Sequence, residues 1–163
     1  MGYSKIYNVR LKRIIIGRKD IADFEKLNLY GIEVKIDSGA YTSSFHCHKI
    51  EKTEIDGIEH IKCNFLDPRH PQYHEKEFCF DKFKMRSIKS SNGSVEERVS
   101  ILTEITIFGE KYPIELTLTE RIEMKYPVLL GRKFISKRFL IDTSRKNLSI
   151  KGKLIEIKKI NKT

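Results

Sequence analysis

Turn signals recur at short intervals along this chain, at Tyr30-Gly31, Asp56-Gly57, Asn92-Gly93, Phe108-Gly109 and Arg145-Lys146-Asn147. The runs between them are rich in Ile, Val, Phe, Tyr and Thr, and several alternate with charges at period two. Close turns leave room for strands and little else, so the pattern predicts an all-β fold. In Ile32-Glu33-Val34-Lys35-Ile36 the apolar side chains point one way and the charges the other, as on a strand with one wet face. Ile114-Glu115-Leu116-Thr117-Leu118 repeats the pattern, and Leu148-Ser149-Ile150-Lys151 does so less cleanly. Asn92-Gly93 predicts a type I′ turn at the tip of a long hairpin from about Phe83 to Ile107. Helical signals are few: Ile21 to Leu27 suits a turn or two, and so does Gly131 to Lys137. The two-proline stretch Asp67 to Gln72 reads as a loop, and Lys153 to Thr163 as a last strand fading into a basic tail.

With 163 residues, 39% hydrophobic and 33% charged, the chain has the length and composition of one globular domain. We expect a single domain over 1–163, with a core over about 7–150 and a tail over 152–163; no internal repeat or Gly/Ser linker divides it. The longest apolar stretches, Ile14-Ile15-Ile16 and Val128-Leu129-Leu130, fall far short of the ~20 residues that cross a bilayer as a helix. The first residues are too polar for a secretory signal, and Ile6 stands where a myristoylation signal needs Ser or Thr, so the expected compartment is the cytoplasm. Cys47, Cys63 and Cys79 have no CxxC spacing and read as reduced, mostly buried thiols. The net charge of +10 suits an acidic partner, although the basic residues are spread along the whole chain.

The segment Val34-Lys35-Ile36-Asp37-Ser38-Gly39-Ala40 carries the most chemistry. An apolar strand runs straight into an acid and three small residues, and a carboxylate at the end of a buried strand needs backbone or hydroxyl donors to meet it. Gly39 permits the turn, and the Ser38 hydroxyl is placed to hold the acid. The same four residues also suit a simple Asx-turn that ends a strand. Downstream, Pro127-Val128-Leu129-Leu130-Gly131-Arg132 is an apolar strand stopped by glycine.

Strand, Asp-Ser-Gly-Ala, hairpin, apolar-apolar-Gly strand and short helix follow one another as in one subunit of a retropepsin-like aspartic peptidase. Over roughly residues 7 to 150 the chain resembles the bacterial and archaeal proteins that carry the label ATP-dependent zinc protease but look like retropepsin-like aspartic peptidases. The resemblance rests on Lys35 to Ser44, Glu96-Glu97-Arg98, Pro113 to Thr119 with Arg121 and Met124, and Leu129-Leu130-Gly131-Arg132. It implies a closed-barrel subunit with a flap hairpin and one or two short helices. Asp37 would be the catalytic carboxylate, with Ser38, Gly39, Ala40 and Thr42 as its supporting loop. Asn92 and Gly93 would stand at the flap tip, and Leu129, Leu130, Gly131 and Arg132 on the strand packed against the loop. The family usually has Thr at position 38 and a basic residue where this chain has Tyr41. It also implies association with ATP-grasp ligases that add glutamate to proteins.

Aspartic-peptidase chemistry needs two carboxylates about 3 Å apart that share one proton. Ile141-Asp142-Thr143-Ser144 offers a poor second copy, because Ser144 replaces the glycine of the turn. The expectation is therefore a homodimer in which Asp37 of each chain meets its partner on the two-fold axis. It would hydrolyse a peptide or isopeptide bond, with acidic or glutamate-modified substrates favoured by the charge. No cofactor or metal is expected: there is no P-loop and no HExxH. His46-Cys47-His48, with His60, Cys63, His70 and His74 further on, is the rival metal cluster. Two non-enzymatic readings stand beside it. One is a dimeric interaction module on the same fold; the other is a basic β-barrel that binds nucleic acid through residues such as Lys12, Arg13, Arg18 and Lys19.

Overall fold

The computed structural model describes residues 13–121 and 125–150. Period-two patterning becomes strand wherever one face finds a core. β1 (Ile14–Ile16) and β2 (Lys19–Phe24) open the chain, a single 3-10 turn spans Glu25–Leu27, and β3 (Leu29–Ile36) follows. On β3 the side chains of Ile32, Val34 and Ile36 are buried while Glu33 and Lys35 are exposed, as the alternation requires. β4 (Ser43–Ile55) and β5 (Ile58–Phe65) form one hairpin; β6 (Phe78–Phe80) pairs with β5. β7 (Lys84–Lys89), β8 (Val95–Ile107) and β9 (Glu110–Thr119) then run as a meander. β10 (Val128–Leu130), the helix α1 (Arg132–Ile135) and β11 (Phe139–Ile141) complete the described elements.

β10 pairs with both β3 and β4, so the order β10-β3-β2-β8-β9-β4 returns to β10 and the six strands close into a ring. Closure removes the open edges that a sheet of this size would otherwise present. The seam between β2 and β8 is narrow, with Asp23 opposite Thr106. β5 and β6 extend the sheet beyond β4, β7 extends it beyond β8, and β1 pairs with β11 in a separate parallel ribbon. Inside the ring Phe24, Phe45 and Phe65 pack edge to face at 5.1 and 5.0 Å, the geometry the aromatic quadrupole favours. Phe134 of α1 and Phe139 of β11 pack against Tyr112, each within 5.9 Å.

Several expectations need correction. Ile21 to Phe24 is strand rather than helix: Asp20, Ala22 and Phe24 are buried in alternation, and pairing with β3 outweighs a weak helical preference. Hairpin pairing of β7 with β8 covers Lys84 to Ser100 and stops short of Ile107, because β2 takes the same edge of β8 at Thr106 while β9 holds the opposite edge. The tip is not a type I′ turn. Gly93 N–H donates to Ser90 C=O, Ser90 N–H to Ser94 C=O, and of the two residues Asn92 and Gly93 only Gly93 has positive φ, at 86°. Asn92 Oδ1 accepts from Ser94 N–H instead, which suits a three-residue loop. Leu148 to Ile150 is helical, not strand. Its first turn is anchored on buried Asp20, whose Oδ2 accepts Ser149 N–H at 3.1 Å. The expected final strand and tail beyond Ile150 lie outside the described residues. Cys47 and Cys63 are buried, whereas Cys79 is exposed.

Candidate active site

β3 delivers Asp37 to the end of the barrel, where the residue as a whole is half-buried. Its Oδ1 accepts the Gly39 N–H at 3.0 Å, so a backbone amide makes the contact expected of the Ser38 hydroxyl. The Asp37 N–H donates to Leu130 C=O at 2.9 Å, and Ala40 N–H to Asp37 C=O at 3.3 Å. β10 runs parallel to β3, with Leu130 opposite Ile36, and antiparallel to β4, with Leu129 opposite Ser44. The loop 37–42 is thereby looped around the end of β10.

Gly131 is the point of closest approach. A Cβ built there would lie 2.5 Å from Thr42 O and 2.7 Å from Tyr41 O, so only glycine lets the two backbones meet. Gly131 N–H donates to Ser43 Oγ at 3.0 Å. The next two amides, Arg132 and Lys133, donate to Ala40 C=O and Tyr41 C=O at 2.8 and 2.9 Å. Arg132 Nη1 reaches Ser38 C=O at 2.9 Å, and its guanidinium lies 5.9 Å from the Tyr41 ring centroid. Tyr41 thus offers an aromatic face to a cation at the position where the family usually has a cation. The structure brings together Asp37, Ser38, Gly39, Ala40 and Thr42 with Leu130, Gly131 and Arg132; Leu129 sits one residue back on β10, opposite Lys35. Asn92 and Gly93 stand at the exposed hairpin tip, and their hydrogen bonds lie within that turn.

Two contributors escape a reading of the sequence. Ser43 is only 2% exposed, and its hydroxyl locks Gly131. Glu115, which the alternation assigns to a wet face, has a side chain only 11% exposed. Its Oε1 accepts from Arg86 Nε and Ser100 Oγ, each at 2.7 Å, and its Oε2 from Lys133 Nζ. Burial pushes the Glu115 carboxyl up, but hydrogen bonds from Arg86, Lys133 and Ser100 outweigh it and hold it at about 2. In the conspicuous Glu96-Glu97-Arg98 run, Glu96 Oε2 accepts from Arg98 Nη2 at 2.9 Å and Arg121 Nη2 at 3.3 Å, while Glu97 accepts from Ser87 Oγ.

His46 and His48 do share a face, lining a cavity of about 430 Å³ with Asp67, Arg69 and Glu120. His46 Nε2 lies 3.8 Å from Asp67 Oδ2, and burial lowers the His46 pKa against the pull of that carboxylate. His48 packs edge-on against Tyr73, and His60 Nδ1 lies 2.8 Å from the carbonyl two residues back, Ile58 C=O. Among the described residues no group of three or more His, Cys, Asp or Glu side chains is arranged to hold a metal. Asp142 forms an Asx-turn, accepting from Ser144 N–H at 3.0 Å and Ser144 Oγ at 2.6 Å. Of the basic residues proposed for nucleic acid, Lys12 lies outside the described residues, and Lys19 pairs with Glu33 at 3.1 Å. No helix among the described residues is long and apolar enough to cross a membrane.

A closed ring of strands with an Asp-Ser-Gly-Ala loop around an apolar-apolar-Gly strand defines a retropepsin-like fold. The family model described as "RimB-like: Retropepsin-like aspartic endopeptidase RimB" matches residues 15–152, and the chain belongs to that family. A crystal structure of a protein of unknown function (DUF785) from Legionella pneumophila superposes with a TM-score of 0.63 at 23% identity. The match covers 83% of this chain and 98% of that one, and it supports the fold. A "Probable alpha-L-glutamate ligase" of Shewanella halifaxensis is 35% identical over 136 residues, 81% of this chain but 29% of the ligase. Its namesake in Parasynechococcus marenigrum is 31% identical over 135 residues, 80% of this chain and 28% of the other. The chain thus spans under a third of the length of these curated relatives.

Proposed function

We propose that this chain is the subunit of a homodimeric aspartic peptidase, and that the Asp37 carboxylates of two copies form its catalytic pair. The observation that carries the reading is the seating of Asp37: half-buried, fixed by the Gly39 and Leu130 backbone contacts, and braced through Gly131. Each chain supplies one such acid, since Asp142 sits in a turn closed by Ser144. Two facing carboxylates share one proton, because like charges about 3 Å apart do not both ionise. The ionised one takes a proton from water as the water oxygen attacks the scissile carbonyl carbon. The protonated one gives its proton to the carbonyl oxygen, which yields a neutral gem-diol. Collapse of that intermediate breaks the C–N bond and sends a proton to the leaving amine.

The proposed substrate is a peptide or isopeptide bond in an acidic or glutamate-modified protein. A net charge of +10 favours such a partner electrostatically. That stretches similar to this chain lie inside proteins called probable alpha-L-glutamate ligases supports a working partnership with an ATP-grasp ligase. The proposed setting is the cytoplasm, where Cys47, Cys63 and Cys79 remain thiols.

Asp37→Asn is the direct test. Asparagine keeps an oxygen for the Gly39 N–H, so fold and dimer should persist in circular dichroism and sedimentation. Cleavage of an acidic peptide library should fall by about 10²–10⁴-fold. Retained cleavage in Asp37→Asn, combined with loss on chelation by EDTA, would transfer the chemistry to a metal. Salt-sensitive binding of single-stranded RNA or DNA by a protein that cleaves nothing would favour the nucleic-acid reading.

A further inference from the structure

Glu115 stands on β9, outside the loop that carries Asp37, yet it reaches three other elements. One oxygen holds Arg86 of β7 and Ser100 of β8, and the other holds Lys133 of α1. The backbone of Lys133 donates to Tyr41 C=O at 2.9 Å, and that of Arg132 to Ala40 C=O at 2.8 Å. One carboxylate therefore joins the hairpin stem, the barrel wall and the helix that clasps the acid loop. Packing does little of this work. Cavities of about 210 and 380 Å³ flank the cluster, both bounded by Glu115 and Leu102, and Leu102 is 73% exposed. Part of the attraction is spent on desolvating the Glu115 carboxylate, so stability alone does not account for joining these elements through an ion cluster. What a multiply hydrogen-bonded carboxylate does supply is a fixed register between the elements it joins.

We propose that Glu115 is a positioning residue that couples the β7–β8 hairpin to the acid loop, through Arg86 on one side and through Lys133 and Tyr41 on the other. The inference rests on the reading of Asp37 as the catalytic acid and of the hairpin as its flap. When the hairpin settles over a bound peptide, the Arg86 end of the cluster moves with it. Lys133 passes the displacement to the Tyr41 carbonyl, four residues from the carboxylate that must face its twin.

The test uses the full chain with Glu115→Gln, Lys133→Met, the double variant, and Glu115→Asp as the conservative change. In Glu115→Gln we expect kcat to fall about tenfold while KM changes by less than about threefold, the scale on which coupling networks act. Lys133→Met should add little on top of Glu115→Gln, and Glu115→Asp should recover part of kcat. Independent of activity, backbone hydrogen exchange in Glu115→Gln should quicken together at the β7 amides and at Arg132 and Lys133, with Val34 and Ile36 unchanged. Faster exchange in the hairpin alone, or additive losses in the double variant, would overturn the coupling. If the wild type cleaves nothing, the exchange data still decide for or against Glu115, and only the peptidase reading fails. Should Glu115→Gln unfold the chain, Lys133→Met carries the same exchange measurement with the carboxylate still held by Arg86 and Ser100.

Discussion

Gly131 leaves no room for a methyl group: the carbonyls of Tyr41 and Thr42 occupy the place a Cβ would take. Its glycine is required by this approach rather than by its backbone angles, since φ is −92° and ψ 176°, open to any residue. Gly131→Ala should therefore push the acid loop off β10, cost about 1–3 kcal/mol of stability, and lower cleavage more than it lowers the melting temperature would suggest. Thermal unfolding beside peptidase activity checks this, and an alanine variant of wild-type stability would mean that the backbones part at no cost. At this scale the sequence was informative where an unusual residue met an unusual demand. Asp-Ser-Gly-Ala after a buried strand and Gly after Val-Leu-Leu both stood out. Ser43 did not, because a serine opening a strand looks like any other until Gly131 N–H arrives from 88 residues away.

Among the elements, the joints matter more than the strands. β7, β9 and α1 meet at Glu115, and the acid response of the molecule should report that joint. The folded-state pKa of about 2 lies below the ordinary 4.5, so the charged form is the one the fold favours. Its contribution is complete above pH ~4.5 and drains away as the pH falls towards 2, with a size on the order of 3 kcal/mol. Asp20 behaves oppositely. Burial raises its pKa, outweighing hydrogen bonds from the Ile21, Ser149 and Leu148 amides, so its contribution is present in acid and is lost as the pH rises through its folded value. Melting temperatures of wild type and Glu115→Gln should thus lie furthest apart near neutrality and converge as the pH approaches 2. A gap that stays constant with pH would show that the charge of Glu115 contributes nothing. The strands themselves were legible from period two, and α1 from its glycine and its length. Ile21 to Phe24 was not, since its helical spacing and its strand alternation overlap in so short a run and only pairing with β3 separates them.

For the whole molecule, one acid loop per chain makes assembly part of the proposed chemistry. Cleavage by the dimer should rise with the square of protein concentration below the dissociation constant and linearly above it, with sedimentation locating the same transition. Full activity in a strictly monomeric sample would rule out the Asp37 pair. Charge is also a property of this scale: a net +10 coexists with pairs such as Lys26–Glu104, Lys62–Glu77 and Lys111–Glu25, which break the basic surface into a mosaic. By itself the sequence determined the β class, the position of the acid and the glycine that seats it, because alternation, turn residues and small-residue loops are local demands written into neighbouring positions. Tertiary structure alone decided that β10 lies between β3 and β4, that the ring closes, and that Glu115 is a buried junction rather than a solvated charge. Those outcomes depend on partners tens of residues apart, and an acid in an alternating strand has no property of its own that tells water from arginine on its far side.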